Sequence, residues 1–186
     1  MTNNSIKLIF FAALTIIINN SCKVEYITHE MLAKNVLNSL INNNLATVLD
    51  MSLTKPEIVE ICEVAQLDCK FIVLNENNQY KIAETRAEKE VGAERKQDEL
   101  KQNITNCFNK ARTLICSKIN CNGKEDEFWQ LAKFISFEVE SKRSERLNLN
   151  NILVKFSYGN IERKIIIEAV ETVSGWKVSE NFYIES

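Results

Sequence analysis

The sequence predicts an α+β domain in which N-terminal helices cover a C-terminal, four-stranded antiparallel sheet. Three observations predict it. From about Phe134 to Ile184, apolar and polar residues alternate at period two. Two Gly-containing dipeptides, Gly159-Asn160 and Ser174-Gly175, divide that run where hairpin turns belong. Upstream of it, apolar residues recur at helical spacing behind recognisable helix starts.

Taken in order, residues 1–22 have the three parts of an export signal. Lys7 supplies a thin positive region, Leu8 to Ile18 an apolar stretch, and Asn19-Asn20-Ser21-Cys22 follows. Eleven apolar-rich residues are too few to span a bilayer as a helix, so a cleaved signal is expected over residues 1–21. A small residue directly before Cys22 resembles the lipobox of bacterial lipoproteins, although Asn19 stands where an apolar residue is usual. The resemblance implies lipidation of Cys22, a short tether over 22–28, and attachment at the bacterial cell envelope. Plain secretion is the alternative.

A single domain is expected over residues 29–186. Thr28 is placed to cap a first helix in which Met31, Leu32, Val36, Leu40 and Ile41 recur at helical spacing. Asn42-Asn43-Asn44 interrupts it, and Leu45, Val48 and Leu49 resume. Thr54-Lys55-Pro56-Glu57 is a helix start with Thr54 as cap, Glu57 at the capping-box position and Pro56 in the first turn. Ile58, Val59, Ile61, Cys62 and Val64 continue that helix. Phe71–Leu74 and Tyr80–Ile82 read as two short strands around Asn75-Glu76-Asn77-Asn78.

The stretch from Glu84 to Asp98 is rich in both charges. It reads as a solvated helical extension supported by Arg86–Glu90 and Arg95–Glu99 pairs, with a partner-binding arm as the alternative. From Leu100 a stripe of Ile104, Cys107, Phe108, Ala111, Leu114 and Ile115 marks a packed helix to about Cys116. Asp126 to Ala132 reads as a further helical turn. Trp129, on this linking element, is the aromatic expected to be partly exposed.

In the sheet, Ile135, Phe137 and Val139 are expected on one face and Glu138 and Glu140 on the other. Ile152, Val154, Phe156 and Tyr158, then Ile165, Ile167 and Ala169, then Trp176, Val178, Phe182 and Ile184 supply the buried side of the remaining strands.

Composition removes some functions from consideration. Hydrophobic residues make up 45% of the chain, enough for a real core. Without residues 1–21, which contain only Lys7, 22 basic residues face 25 acidic ones, a formal charge of -3. That balance gives no electrostatic reason to expect a nucleic-acid partner.

Five cysteines remain beside Cys22: Cys62, Cys69, Cys107, Cys116 and Cys121. Export allows disulfides. Proximity favours Cys62 with Cys69 and Cys116 with Cys121, but spacing alone leaves fifteen arrangements of two bridges and one free thiol. No pair is spaced C-x-x-C, so neither a thioredoxin-like redox site nor a zinc knuckle is suggested, and no metal or other cofactor is expected.

The order of elements resembles the nuclear transport factor 2-like superfamily, and more narrowly its secreted lipoproteins in Bacteroidetes. The residues that carry the resemblance are Asn44-Leu45-Ala46-Thr47-Val48-Leu49, Thr54-Lys55-Pro56-Glu57, Asp126-Glu127-Phe128-Trp129 and Ser174-Gly175-Trp176-Lys177-Val178. It covers most of residues 28–186, and a cystatin-like helix-on-sheet arrangement is its nearest rival. It implies a bent, cone-like sheet. Enzymes of the superfamily use Asp, His or Tyr in a pocket between sheet and helices. Here the lone His29 sits beside the tether, where a solvated residue is expected, and no His-based triad can be assembled. Glu180, sharing a face with Trp176, Val178 and Phe182, is the one candidate for a pocket carboxylate of an isomerase- or hydratase-like enzyme. A residue at a bulge or rim is the commoner reading of that position. Phe137, Phe156, Tyr158, Trp176 and Phe182 are candidates to line an apolar ligand pocket, against the simpler role of filling the core. The expected function is binding, of a protein or of a small apolar ligand, by a membrane-tethered module.

Overall fold

The computed structural model describes residues 26–66, 69–119, 124–142 and 144–185, with side chains of 115–119 left aside. The expected leader over 1–21, Cys22 with the expected 22–28 tether as far as residue 25, and Cys121 lie outside these residues, as does the Cys116 side chain.

Among the described residues, five helices and two sheets follow one another as the sequence predicts: α1 (His29–Ile41), α2 (Leu45–Asp50), α3 (Lys55–Val64), β1 (Ile72–Leu74), β2 (Tyr80–Ile82), α4 (Arg86–Ile119), α5 (Glu125–Gln130), then β3 (Ala132–Lys142), β4 (Leu149–Tyr158), β5 (Ile161–Thr172) and β6 (Gly175–Glu185). Among the described residues no helix is long and apolar enough to cross a membrane.

Local chemistry sets the helix ends. Thr28 Oγ1 accepts from the Met31 amide at 3.2 Å and caps α1. Asn44 Oδ1 does the same for Thr47 at 3.4 Å and restarts the chain as α2. Asn43 between them adopts φ 51°, a left-handed conformation that asparagine tolerates. At α3 the Thr54 amide donates to Glu57 Oε2 at 2.9 Å, the reaching-back half of a capping box. The same device opens α4, where Glu88 accepts from the Thr85 amide at 3.1 Å and Thr85 Oγ1 accepts from the Glu88 amide at 3.2 Å.

The large sheet is an antiparallel meander in the order β3-β4-β5-β6, and it does not close. Its inner face carries Ile152, Val154, Phe156, Ile165, Ile167, Ala169, Val178 and Phe182, all buried. Leu32, Val36, Leu37 and Leu40 of α1 and Ile104, Phe108 and Ala111 of α4 complete the core. The outer face carries cross-strand ion pairs, Lys142–Glu168 at 2.6 Å and Lys155–Glu138.

Three expectations need correction. Ile135 does not join the inner face of β3. The pairing of β3 with β4 slips between Phe134 and Ser136, so Phe134 and Phe137 face inward and Ile135 is exposed. Trp129 is fully buried, because α5 turns Phe128 and Trp129 inward and Glu125, Asp126 and Glu127 outward. Its ring stacks on Phe156 at 5.7 Å and its indole N–H donates to the Arg112 carbonyl at 3.4 Å. The 84–98 stretch is helical from Arg86, as its main reading expects. It is the first half of a continuous 34-residue helix, held to α3 by Lys55–Glu94 (2.9 Å) and Lys89–Glu63 (2.8 Å), with Ala93 buried between them. The expected Arg86–Glu90 and Arg95–Glu99 pairs do form along it, at 3.2 and 2.9 Å. Finally, the last hairpin turns at Val173-Ser174, and Gly175 is the first residue of β6.

Gly175 has φ 104°, and a Cβ there would land on the backbone of Ile27. Only glycine lets the entering chain cross so closely. Ile27 then pairs with it, donating to the Ser174 carbonyl at 3.1 Å and accepting from the Trp176 amide at 2.8 Å.

Candidate binding surfaces

The small hairpin has two unlike faces. Phe71, Val73 and Ala83 point into the core and are buried. Ile72, Leu74, Tyr80 and Ile82 point out, paired across the strands as Ile72 with Ile82 and Leu74 with Tyr80. They are 55%, 56%, 82% and 58% exposed. Burying such a side chain is worth about 1.5–3 kcal/mol, so the fold forgoes several kcal/mol by leaving four of them in water on one patch. Contiguous exposed apolar side chains of this kind mark interaction surfaces.

The hairpin is rigidly held. Asn75 Oδ1 accepts from the amides of Asn77 and Gln79 at 2.9 Å each, and Asn78 takes φ 57° to make the turn. The Ala83 amide donates to the Phe71 carbonyl at 2.8 Å. A disulfide between Cys62 and Cys69, with Cα atoms 5.9 Å apart, ties its leading strand to α3. Gly92 lets α4 run beside it, since a Cβ at Gly92 would sit 2.9 Å from Phe71 Cβ. Both charges surround the hairpin: Arg95, Lys96 and Glu99 of α4 share a cleft with Ile72, and Lys81 lies on the opposite face, across from Val73. Lys81 pairs with Glu88 at 2.6 Å and Arg95 with Glu99 at 2.9 Å. The Lys81 ammonium, with the Glu84 and Thr85 amides, pulls the Glu88 carboxyl down to about 2.

A cleft of about 420 Å³ opens elsewhere, between α4 and the end of β6. Ala111, Phe182 and Ile184 form its buried floor. Cys107 and Asn181 close one end, Sγ to Oδ1 3.6 Å, and Lys110 stands exposed at its rim.

A third feature is polar and fully partnered. Glu57 is buried, its Oε2 taken by Thr54 and its Oε1 by the hydroxyls of Thr172 (2.9 Å) and Ser174 (2.5 Å). Burial pushes its carboxyl up, but the hydrogen bonds from Ser174, Thr54 and Thr172 outweigh it and hold the group below the usual carboxylate range. Nearby, Glu171 accepts from the Tyr26 hydroxyl and from Asn148 Nδ2 at 2.6 Å. Those bonds, Tyr26's first, hold its carboxyl low as well. His29 is half-buried rather than solvated. Its ring lies 4.0 Å from that of Trp176 and its Nε2 2.9 Å from Asn150 Nδ2. Burial lowers its pKa, against the opposing pull of the Glu171 charge. These contacts bind the chain's entry, α3 and the last hairpin together.

The five candidate pocket aromatics are spread through the core. Phe156 and Phe182 are fully buried and Trp176 nearly so, while Phe137 and Tyr158 are half-buried. Tyr158 packs on Phe128 at 4.1 Å. Phe182 alone of the five lines the α4–β6 cleft. Glu180 is exposed on β6, within the register slip that separates Ala169–Val178 from Ile167–Phe182. Cys107 is a free thiol. Among the described residues no three His, Cys, Asp or Glu side chains are grouped to hold a metal ion.

The outward face of the hairpin was missed from sequence, although Ile72/Leu74 and Tyr80/Ile82 are apolar at period two on both strands. The capping pair Thr85 and Glu88 was also present to be read. Comparison with protein-family models, curated proteins and solved structures finds no match to this chain.

Proposed function

We propose that this protein is a binding module of the bacterial envelope, of nuclear transport factor 2-like build and lipid-anchored through Cys22, that docks a partner protein on the outer face of the β1–β2 hairpin. One observation carries the reading: four large apolar side chains stand exposed, in register, on a hairpin locked by a disulfide. A fold that needed this hairpin only for itself would gain by placing polar residues there. The face belongs to two three-residue strands, and only Ile72 of its four apolar residues borders a cleft, so a surface suits it better than a small molecule. Beside Ile72, α4 presents Arg95, Lys96 and Glu99, and this mixed charge favours a protein over an anionic surface.

The test is photo-crosslinking of the exported protein in its own cells, with photoreactive benzoylphenylalanine in place of Tyr80. The expected result is a protein adduct that is suppressed by Leu74→Lys and absent when the probe replaces exposed Glu140 on β3 of the large sheet. No adduct, or an adduct to lipid alone, contradicts the reading.

A further inference from the structure

The two edges of the large sheet are β3 and β6, and the β6 edge is used in two ways. In an antiparallel strand the pleat couples side-chain face to hydrogen-bond direction: residues sharing a face send their amides to the same side. Trp176 and Val178 point their side chains inward and their amides away from β5. Both amides are already taken by short segments of this chain, Trp176 by the Ile27 carbonyl at 2.8 Å and Val178 by the Met51 carbonyl at 3.0 Å. Each segment pairs with β6 as a single parallel bridge, Ile27 with Gly175 and Ser52 with Val178.

Past the register slip, Phe182 and Ile184 resume the inward face, paired with Ile167 and Ile165. Their amides therefore also point away from β5, and no backbone acceptor meets them among the described residues. Opposite lies the α4 stripe of Cys107, Lys110, Ala111 and Leu114, and the gap between is the 420 Å³ cleft. The stripe runs about 10 Å along the helix, the length of roughly three extended residues. Asn181 to Ile184 all line the cleft in succession, as they do where a strand presents its edge rather than one face.

We propose that this free half of the β6 edge takes an extended peptide from a partner protein as an added strand, seated between β6 and α4. The cleft makes two demands at once. Its floor is apolar, and its wall carries unpaired peptide groups. An aliphatic chain would meet the first and strip water from the second without replacing it. A peptide strand meets both, as the chain's own Ile27 and Ser52 segments do one step along the same edge. The Lys110 ammonium forms no ion pair among the described residues. It selects a carboxylate beside the peptide's apolar residues, from an acidic side chain or a free C-terminus. The inference is independent of the hairpin surface, which lies on other elements.

The experiment uses the exported chain and a synthetic pool of hexapeptides with valine, isoleucine, leucine or phenylalanine at alternate positions and a free C-terminal carboxylate. A C-terminally amidated pool with aspartate at the last position separates the two carboxylate sources. Amide hydrogen exchange is read residue by residue. Added peptide is expected to slow exchange at Phe182 and Ile184 by about tenfold or more, and to leave Trp176 and Val178, already bonded, unchanged. A pool N-methylated at every amide is expected to give no slowing, and Lys110→Glu to weaken binding by about fivefold or more. Protection by the N-methylated pool equal to that by the parent pool, or unchanged exchange at Phe182 and Ile184, overturns the proposal.

Discussion

Glu57 Oε1 accepts a 2.5 Å hydrogen bond from the Ser174 hydroxyl, joining residues 117 positions apart. The carboxylate that starts α3 thereby also fixes the turn between β5 and β6, and that turn holds the incoming chain at Ile27. Glu57→Gln presents an amide N–H₂ where the site supplies donors. It is expected to cost about 1–3 kcal/mol in urea unfolding at neutral pH. The native carboxyl lies below its ordinary value, so its stabilisation is present above the usual carboxylate range and is lost as pH falls through the lowered native value. The wild type should therefore lose more stability than Glu57→Gln between pH 7 and acid pH. Parallel curves would contradict this role.

Gly175→Ala should be among the most damaging single changes. It strains a position at φ 104° and drives a methyl into the Ile27 backbone, for a cost of roughly 2–5 kcal/mol. Chemical denaturation measures the cost. Exchange of the Trp176 amide should quicken at the same time, as its bond to Ile27 is lost.

The Cys62–Cys69 bridge closes a short loop, for which chain entropy gives about 2.5 kcal/mol. Replacing both cysteines by serine should lower stability by about that amount. Protease sensitivity should rise first at the β1–β2 hairpin, which the bridge secures.

Arg112 is buried, with one nitrogen on the Leu40 carbonyl at the end of α1 and another on the Asp126 carboxylate. It answers a helix C-terminus that has no basic residue of its own in the last turn. Arg112→Leu should destabilise by about 1–3 kcal/mol by orphaning that carbonyl, whereas Asp126→Asn, at a mostly exposed partner, should cost less than about 1 kcal/mol.

Regular elements were legible because their signals are local. The capping residues Thr28 and Thr54, the interruption at Asn42-Asn43-Asn44 and the turn at Gly159-Asn160 each occur where the chain changes structure. Ile135 and Trp129 were misread for one reason. Their surroundings depend on partners distant in sequence, a bulge against β4 for the first and Phe156 and Arg112 for the second. Glu57 was readable as a cap but not as the holder of Thr172 and Ser174. The expected Cys62–Cys69 bridge is present, its two cysteines brought together by the turn after α3. The apolar residues of the hairpin were visible as strands, but which of them would find cover was a property of the packing of α4.

If the outward hairpin face serves binding rather than stability, the variant Leu74→Lys/Ile82→Lys separates the two roles. Both positions are more than half exposed and contribute little to the core. The measurement is unfolding free energy and Tyr80 crosslinking on the same variant. Stability within about 1 kcal/mol of the wild type, together with loss of the protein adduct, is expected. A variant that unfolds readily, or one that stays folded and still yields the adduct, would contradict it.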